Sequence, residues 1–154
     1  MEHEKTINNY PNPWNFDNEN VEMFSPDKSN KIEFYELFEI GMGAPLGGYC
    51  YWIDNLGNKK RLNHRFGGPP KWNSQGTKVA LPFWINKFWK GTVQQIIVLN
   101  IEKKELTRYK KVFDVLDLRT FDQDEICGYD SPIYKKKIVK FDLKKAKVVE
   151  KIKI

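Results

Sequence analysis

Histidine and cysteine are nearly absent from this chain, with two of each among 154 residues. Cys50 and Cys127 stand far apart and make no disulfide framework, so a reducing, cytoplasmic setting is the reading that follows. His3, near the start, and His64, read as part of a loop, lack the Cys or His spacing of a zinc site. No serine sits in a nucleophile elbow, and no glycine run has the form that cradles phosphate. Gly41-Met42-Gly43 and Gly47-Gly48 flank Pro45 without a following helix signal and read as a flexible connection. A run of about 18 apolar residues, the length a membrane span needs, is also missing. The opening Met1-Glu2-His3-Glu4-Lys5 is polar and contains no apolar signal core. These absences leave no cofactor, no metal and no membrane contact to expect, and they weigh against an enzyme.

Aromatic residues, by contrast, are abundant: five Trp, seven Tyr and ten Phe, 14% of the chain. They favour strands. A chain of this length buries roughly 70% of its unfolded surface as one domain, so a single domain over residues 1–154 is expected. The net charge of +6 is unevenly placed: residues 131–154 hold nine lysines against Asp142 and Glu150, a net of +7, and the other 130 residues therefore net −1.

Ile32, Val79 and Ile126 are spaced 47 residues apart, and each opens a strand-like stretch behind a turn. The same order follows each time: strand, connection, strand, polar turn, basic return strand. The first unit predicts strands over 31–40, 49–53 and 59–62. The second predicts 78–83, a loop over 85–91, then 92–99 and 105–109. The third predicts 125–129, 134–141 and 147–152. Thr92–Leu99 is almost continuously apolar around Gln94 and Gln95, as in a strand buried on both faces. Asp54, Asn100 and Asp142 mark the same turn in each unit, 46 and 42 residues apart. The repeats run about 23–68, 69–111 and 112–154. Before them, the Asn- and Pro-rich stretch 1–22 reads as an irregular arm pinned by Tyr10, Trp14 and Phe16.

Phe24-Ser25-Pro26-Asp27 followed by Lys31-Ile32, and the run Pro70-Lys71-Trp72-Asn73-Ser74-Gln75-Gly76-Thr77-Lys78-Val79, resemble the Trp-Ser-Pro-Asp-Gly-x-x-Ile opening of TolB-like and WD-repeat propeller blades. The resemblance implies an all-β fold of three blade-like antiparallel sheets, an incomplete or three-bladed relative of the propeller. The third unit departs from it, opening on Asp122-Gln123-Asp124. Propellers carry four to eight blades. Three therefore predict open sheet edges that admit oligomers, with the lysine-rich last strand as a guard.

Three segments fall outside the repeat: the aromatic loop 83–91, the acidic run 114–130 and the lysine-rich last strand. Phe83–Gly91 gathers four aromatics and two lysines, and Trp84, Lys87, Phe88 and Trp89 are candidate partner-binding residues, because interface anchors are enriched in Trp. The run 114–130 gathers carboxylates as a solvated acidic edge, from which Asp117, Asp122, Asp124 and Glu125 are candidates for meeting a basic partner. A small, catalytically blank β protein of this kind resembles bacterial toxin-immunity proteins, such as those of contact-dependent inhibition systems. That resemblance implies a cognate toxin, possibly a nuclease, as protein partner and masking of its active site or substrate surface as mechanism. Two alternatives stand beside it. One is nucleic-acid binding through the lysine-rich strand, disfavoured because arginine, the better phosphate fork, is nearly absent there. The other is an enzyme on a reduced propeller scaffold.

Overall fold

The computed structural model describes residues 11–133 and 135–154; Tyr10, His3 and the predicted strand start at Tyr134 lie outside the described residues. Apart from a 3₁₀ turn over Val21–Met23, every regular element is a strand. In chain order these are β1 (Lys31–Glu39), β2 (Leu46–Ile53), β3 (Lys59–Phe66), β4 (Lys71–Trp72), β5 (Lys78–Lys87), β6 (Gly91–Asn100), β7 (Glu105–Tyr109), β8 (Leu116–Asp122), β9 (Glu125–Asp130), β10 (Lys137–Asp142) and β11 (Val148–Lys153). Among the described residues no helix is long and apolar enough to cross a membrane.

The 47-residue period is a period of strand starts. Ile32, Val79 and Ile126 are each the second residue of β1, β5 and β9, and all three are completely buried. The turn markers share a chemistry as well as a place. Asp54 Oδ1 accepts the backbone N–H of Leu56 and Asn58, Asn100 Oδ1 that of Lys103, and Asp142 Oδ1 that of Lys144. Short polar side chains that bond the backbone a few residues on are what a tight turn selects.

The strands form two antiparallel sheets and close into neither a barrel nor a propeller. Eight strands make the larger sheet, in the order β1-β2-β3-β5-β6-β7-β11 with β4 added beside β5; β10-β9-β8 make the smaller one. The three units therefore share strand order without staying separate. β3 joins β5 at a single pair, Phe66 with Phe83, and β11 leaves its own unit to pair with β7. Apolar burial and charge both favour the second exchange, since Ile152 and Ile154 pack against the first core. Against β7, Glu150 meets Arg108 at 3.7 Å and Lys153 meets Glu105 at 3.8 Å. Against β10, the lysines of β11 would face Lys137 and Lys140, and like charges across a sheet destabilise it.

The hairpin β5–β6 lies between two cores. Val79, Leu81, Ile97 and Leu99 turn one way, towards Ile32, Trp52 and Leu62. Ala80, Ile96 and Val98 turn the other way, towards Leu118, Ile126 and Phe141. Alternate residues of a strand point to opposite faces, so the nearly continuous apolar run of β6 is buried on both, as its sequence predicts. The polar interruptions in that run seat its neighbours. Gln94 Oε1 accepts the Leu116 N–H at 2.6 Å, and Gln95 Oε1 accepts from Arg108 at 2.8 Å. In the described part of the predicted arm, two side chains hold the chain to β1. Phe16 is buried edge-to-face on Phe34, 5.3 Å between centroids. The Asn18 amide donates to the Phe34 carbonyl and accepts its N–H, both at 2.7 Å, and so covers the edge of β1.

Three local expectations are corrected. Residues 85–87 belong to β5 rather than to a loop, because the β5–β6 pairing runs without a break from Lys78–Asn100 to Lys87–Gly91. The acidic run 114–130 is not one solvated edge. It folds into β8 and β9, whose Leu116, Leu118, Phe121 and Ile126 fill the second core and draw Asp117 and Asp130 out of solvent. His64 lies on β3, half-buried between the rings of Phe66 and Phe83, rather than in a loop.

Candidate protein-binding site

The β5–β6 hairpin ends in a three-residue tip, Phe88-Trp89-Lys90. The Lys90 N–H bonds the Lys87 carbonyl at 3.2 Å, and Gly91 follows at φ 78°. A tight turn followed by a left-handed glycine is the usual way to close a three-residue hairpin, since glycine adopts that φ without steric cost. The tip carries its aromatics clear of both cores. Phe88 is 90% and Trp89 89% exposed, and they touch each other edge-to-face with centroids 4.7 Å apart.

Trp89 differs from every other tryptophan in the chain. The indole N–H of Trp14 donates to Gly43 O, that of Trp52 to Asn30 Oδ1, that of Trp72 to Met23 O and that of Trp84 to Leu46 O. The Trp89 indole makes no such bond among the described residues. A large ring with a polar handle that is used neither for packing nor for hydrogen bonding is the kind of group that interfaces recruit.

Beside the hairpin lies a cleft of about 590 Å³, lined among others by Trp14, Met42, Trp84, Thr92, Asp114 and Lys135. Its walls come from the connection before β2, from the hairpin and from the segments flanking the smaller sheet. Trp84, only 8% exposed, forms its floor. The chain makes room for that ring with glycine: a Cβ at Gly47 would stand 2.9 Å and one at Gly67 3.1 Å from the Trp84 indole. Met42 is fully exposed on the rim, and the Trp14–Gly43 bond ties its loop to the arm. Lys87 and Lys90 at the tip and Lys135 on the cleft set three positive charges here against two exposed carboxylates, Asp114 and Glu39, whose Oε2 accepts the Gly43 N–H at 3.1 Å.

The structure divides the eight sequence-predicted residues. Lys87, Phe88 and Trp89 are displayed together at the tip, while Trp84 is buried beneath the cleft. Of the acidic four, Asp122, Asp124 and Glu125 lie at the other end of the hairpin, while Asp117 stands near the start of β8, next to the Leu116 that Gln94 holds. Asp122 and Glu125 face each other across the β8–β9 turn, and Asp124 sits between Lys78 at 3.3 Å and Lys144 at 3.8 Å. Lys78 opens the ten-residue β5 and Lys87 ends it, a span of about 30 Å at roughly 3.3 Å per residue. Asp117 is 1% exposed and bonded to Arg119 at 2.7 Å. Burial raises its carboxyl above the ordinary carboxylate range; Arg119 pulls the other way without prevailing. Aromatic and acidic candidates thus do not form one site. Met42, Thr92 and Lys135 were missed, the first because its glycine-rich segment reads only as a connection.

Two other groups are set by their surroundings. Burial lowers the affinity of His64 for a proton, with Glu150 opposing. Burial raises the Cys50 thiol far above its ordinary range, and both cysteines are free. Among the described residues no three His, Cys, Asp or Glu side chains are grouped to hold a metal ion. No family model, curated protein or solved structure matches the chain.

Proposed function

We propose that this chain is a non-catalytic protein-binding module that docks through the β5–β6 tip and the adjoining cleft and acts by masking its partner's surface. The observation that carries the reading is the unused Trp89, edge-to-face on Phe88 at the end of a hairpin whose inner part is buried on both faces and whose last pairs, Asn86–Thr92 and Lys87–Gly91, stand exposed. A fully paired stem presenting two aromatics needs little ordering on binding, which favours affinity. The lysines around the tip suit a partner that is acidic at this contact, with charge acting on the rate of encounter and the rings on residence time. The narrower form of the proposal is the toxin-immunity reading. In it the acidic patch on the toxin, and not a basic one, is what the tip engages.

The test is a photo-crosslinking amino acid placed at Lys90, exposed beside Trp89, in the native cell, with Leu56, exposed on the β2–β3 turn, as control position. One protein captured at 90 and not at 56, forming a stoichiometric complex that Trp89→Ala weakens, supports docking. Capture of nucleic acid alone, or equal capture at both positions, overturns it. If the captured protein is harmless when expressed without this chain, the immunity form fails and the binding module stands.

A further inference from the structure

The chain covers one edge of its larger sheet and leaves an edge of the smaller one open. β1 is met by the Asn18 amide and by a bridge from Phe24 to Lys31. β10 bonds β9 on one side, and among the described residues no strand meets its other side. There it borders a groove of about 480 Å³, lined by Lys111–Phe113, Asp130 and Lys137–Lys140. All four consecutive residues 137–140 line it, although side chains of a strand alternate between faces. The groove therefore runs along the edge of the strand. Phe113 and Val139 give it an apolar floor, and Ile138 stands 77% exposed beside it. Lys111, Lys137 and Lys140 rim it. The single carboxylate in the lining, Asp130, is already engaged by the backbone N–H groups of Asp114 and Val115, each at 3.0 Å.

We propose that β10 accepts an extended, acidic segment of a partner protein as an added strand. The open edge supplies the main-chain hydrogen bonds, and the groove takes alternate side chains, which is how strand addition divides affinity from specificity. The rim decides the charge of the guest: three lysines favour glutamate or aspartate at the positions that face them. Two antiparallel β10 strands would set Lys137 against Lys140 in one register and Lys137 against Asp142 in another, so a second copy of this chain is the competing occupant that the test separates. β11, an end strand of the larger sheet, is less suited, since Lys153 is held by Glu105 and by the Lys103 carbonyl. This surface is separate from the hairpin tip and does not rest on the tip's role.

The probe is a labelled, acetylated decapeptide of alternating glutamate and valine, compared with its lysine–valine counterpart by fluorescence anisotropy on the full chain. The acidic peptide is expected to bind about tenfold tighter or better, and binding is expected to slow hydrogen exchange at alternate amides of residues 137–141. Lys137→Glu with Lys140→Glu should reverse the preference. A third peptide keeps the glutamate–valine pattern but is N-methylated at alternate backbone amides. It should bind about tenfold more weakly, without any change to the protein. Equal binding of the acidic and basic peptides, undiminished binding of the methylated one, or protection on β11 instead of β10 would overturn the proposal. So would protection of residues 137–141 that grows with protein concentration in the absence of peptide, which marks a second copy as the occupant.

Discussion

Trp84 and Trp89 lie five residues apart, and substitution by alanine should separate them completely. Trp84 is 8% exposed, and its indole donates to the Leu46 carbonyl at 3.2 Å. Removing a ring of roughly 250 Å² forfeits, at about 25 cal/mol per Å², up to about 6 kcal/mol of burial. That is a ceiling. Trp84 floors an open cleft, so water enters part of the void and takes over the Leu46 carbonyl, and the expected cost is about 3–4 kcal/mol. For a chain of this size that lowers the Tm by about 10 °C. Trp89, 89% exposed and touching only Phe88, edge-to-face, should cost no more than about 0.5 kcal/mol. Urea unfolding with matched slopes, repeated by scanning calorimetry, measures both. Partner binding should rank the other way for folded protein, with Trp89→Ala losing about 2 kcal/mol or more. A Trp89→Ala cost above about 1.5 kcal/mol, or a Trp84→Ala cost below about 1 kcal/mol, would refute the division of the segment into floor and tip.

Four further outcomes follow from local geometry. Gly91→Ala should destabilise by about 1 kcal/mol, because the position is at φ 78° with open space around it and only backbone strain opposes a side chain; an unchanged urea midpoint would contradict this. Gln123→Gly should stabilise by up to about 1 kcal/mol, since Gln123 holds φ 52° in the β8–β9 turn; a fall in Tm would count against it. Asp117 has a raised pKa in the fold, so the native state holds its proton more tightly than the unfolded chain. Relative to Asp117→Asn, the natural chain should therefore gain stability as pH falls from the raised folded value towards the ordinary carboxylate value; a relative loss over that window would show that Arg119 dominates. Native-state thiol labelling should modify Cys127 and spare Cys50, which is fully buried; labelling of both at one rate would mean that the first core opens readily.

Much of the scaffold was legible because it depends on local pattern. Ile32, Val79 and Ile126 mark strand starts through their spacing alone, and Asp54, Asn100 and Asp142 mark turns through side chains that bond their own backbone. Partner choice between strands was not legible. Whether β11 pairs with β10 or β7 depends on contacts made across some 40 residues of chain, Ile152 against the first core, Glu150 beside Arg108 and Lys153 beside Glu105. The acidic run misled for a related reason. Asp117 looks solvated in a list of charges, yet it is 1% exposed: it lies on the face of β8 opposite the core residues Leu116 and Leu118, and that face is covered too, with Arg119 beside the carboxylate. For the site, composition was enough to single out Phe88 and Trp89. It was not enough to separate them from Trp84, because that depends on where the β5–β6 ladder stops.

The departure of β11 to β7 also sets a timetable. The smaller sheet, β8 to β10, is complete once the chain reaches residue 142. The outer edge of β7 has no partner until 148–153 have been made. A nascent chain therefore carries a finished small sheet beside an unsealed large one, and unpaired strand edges are where stalled chains associate. Translation that halts between these two points should leave an aggregation-prone species, whereas once 148–153 are made β7 is paired and the edge passes to β11, whose exposed Lys151 and Lys153 discourage further strand addition.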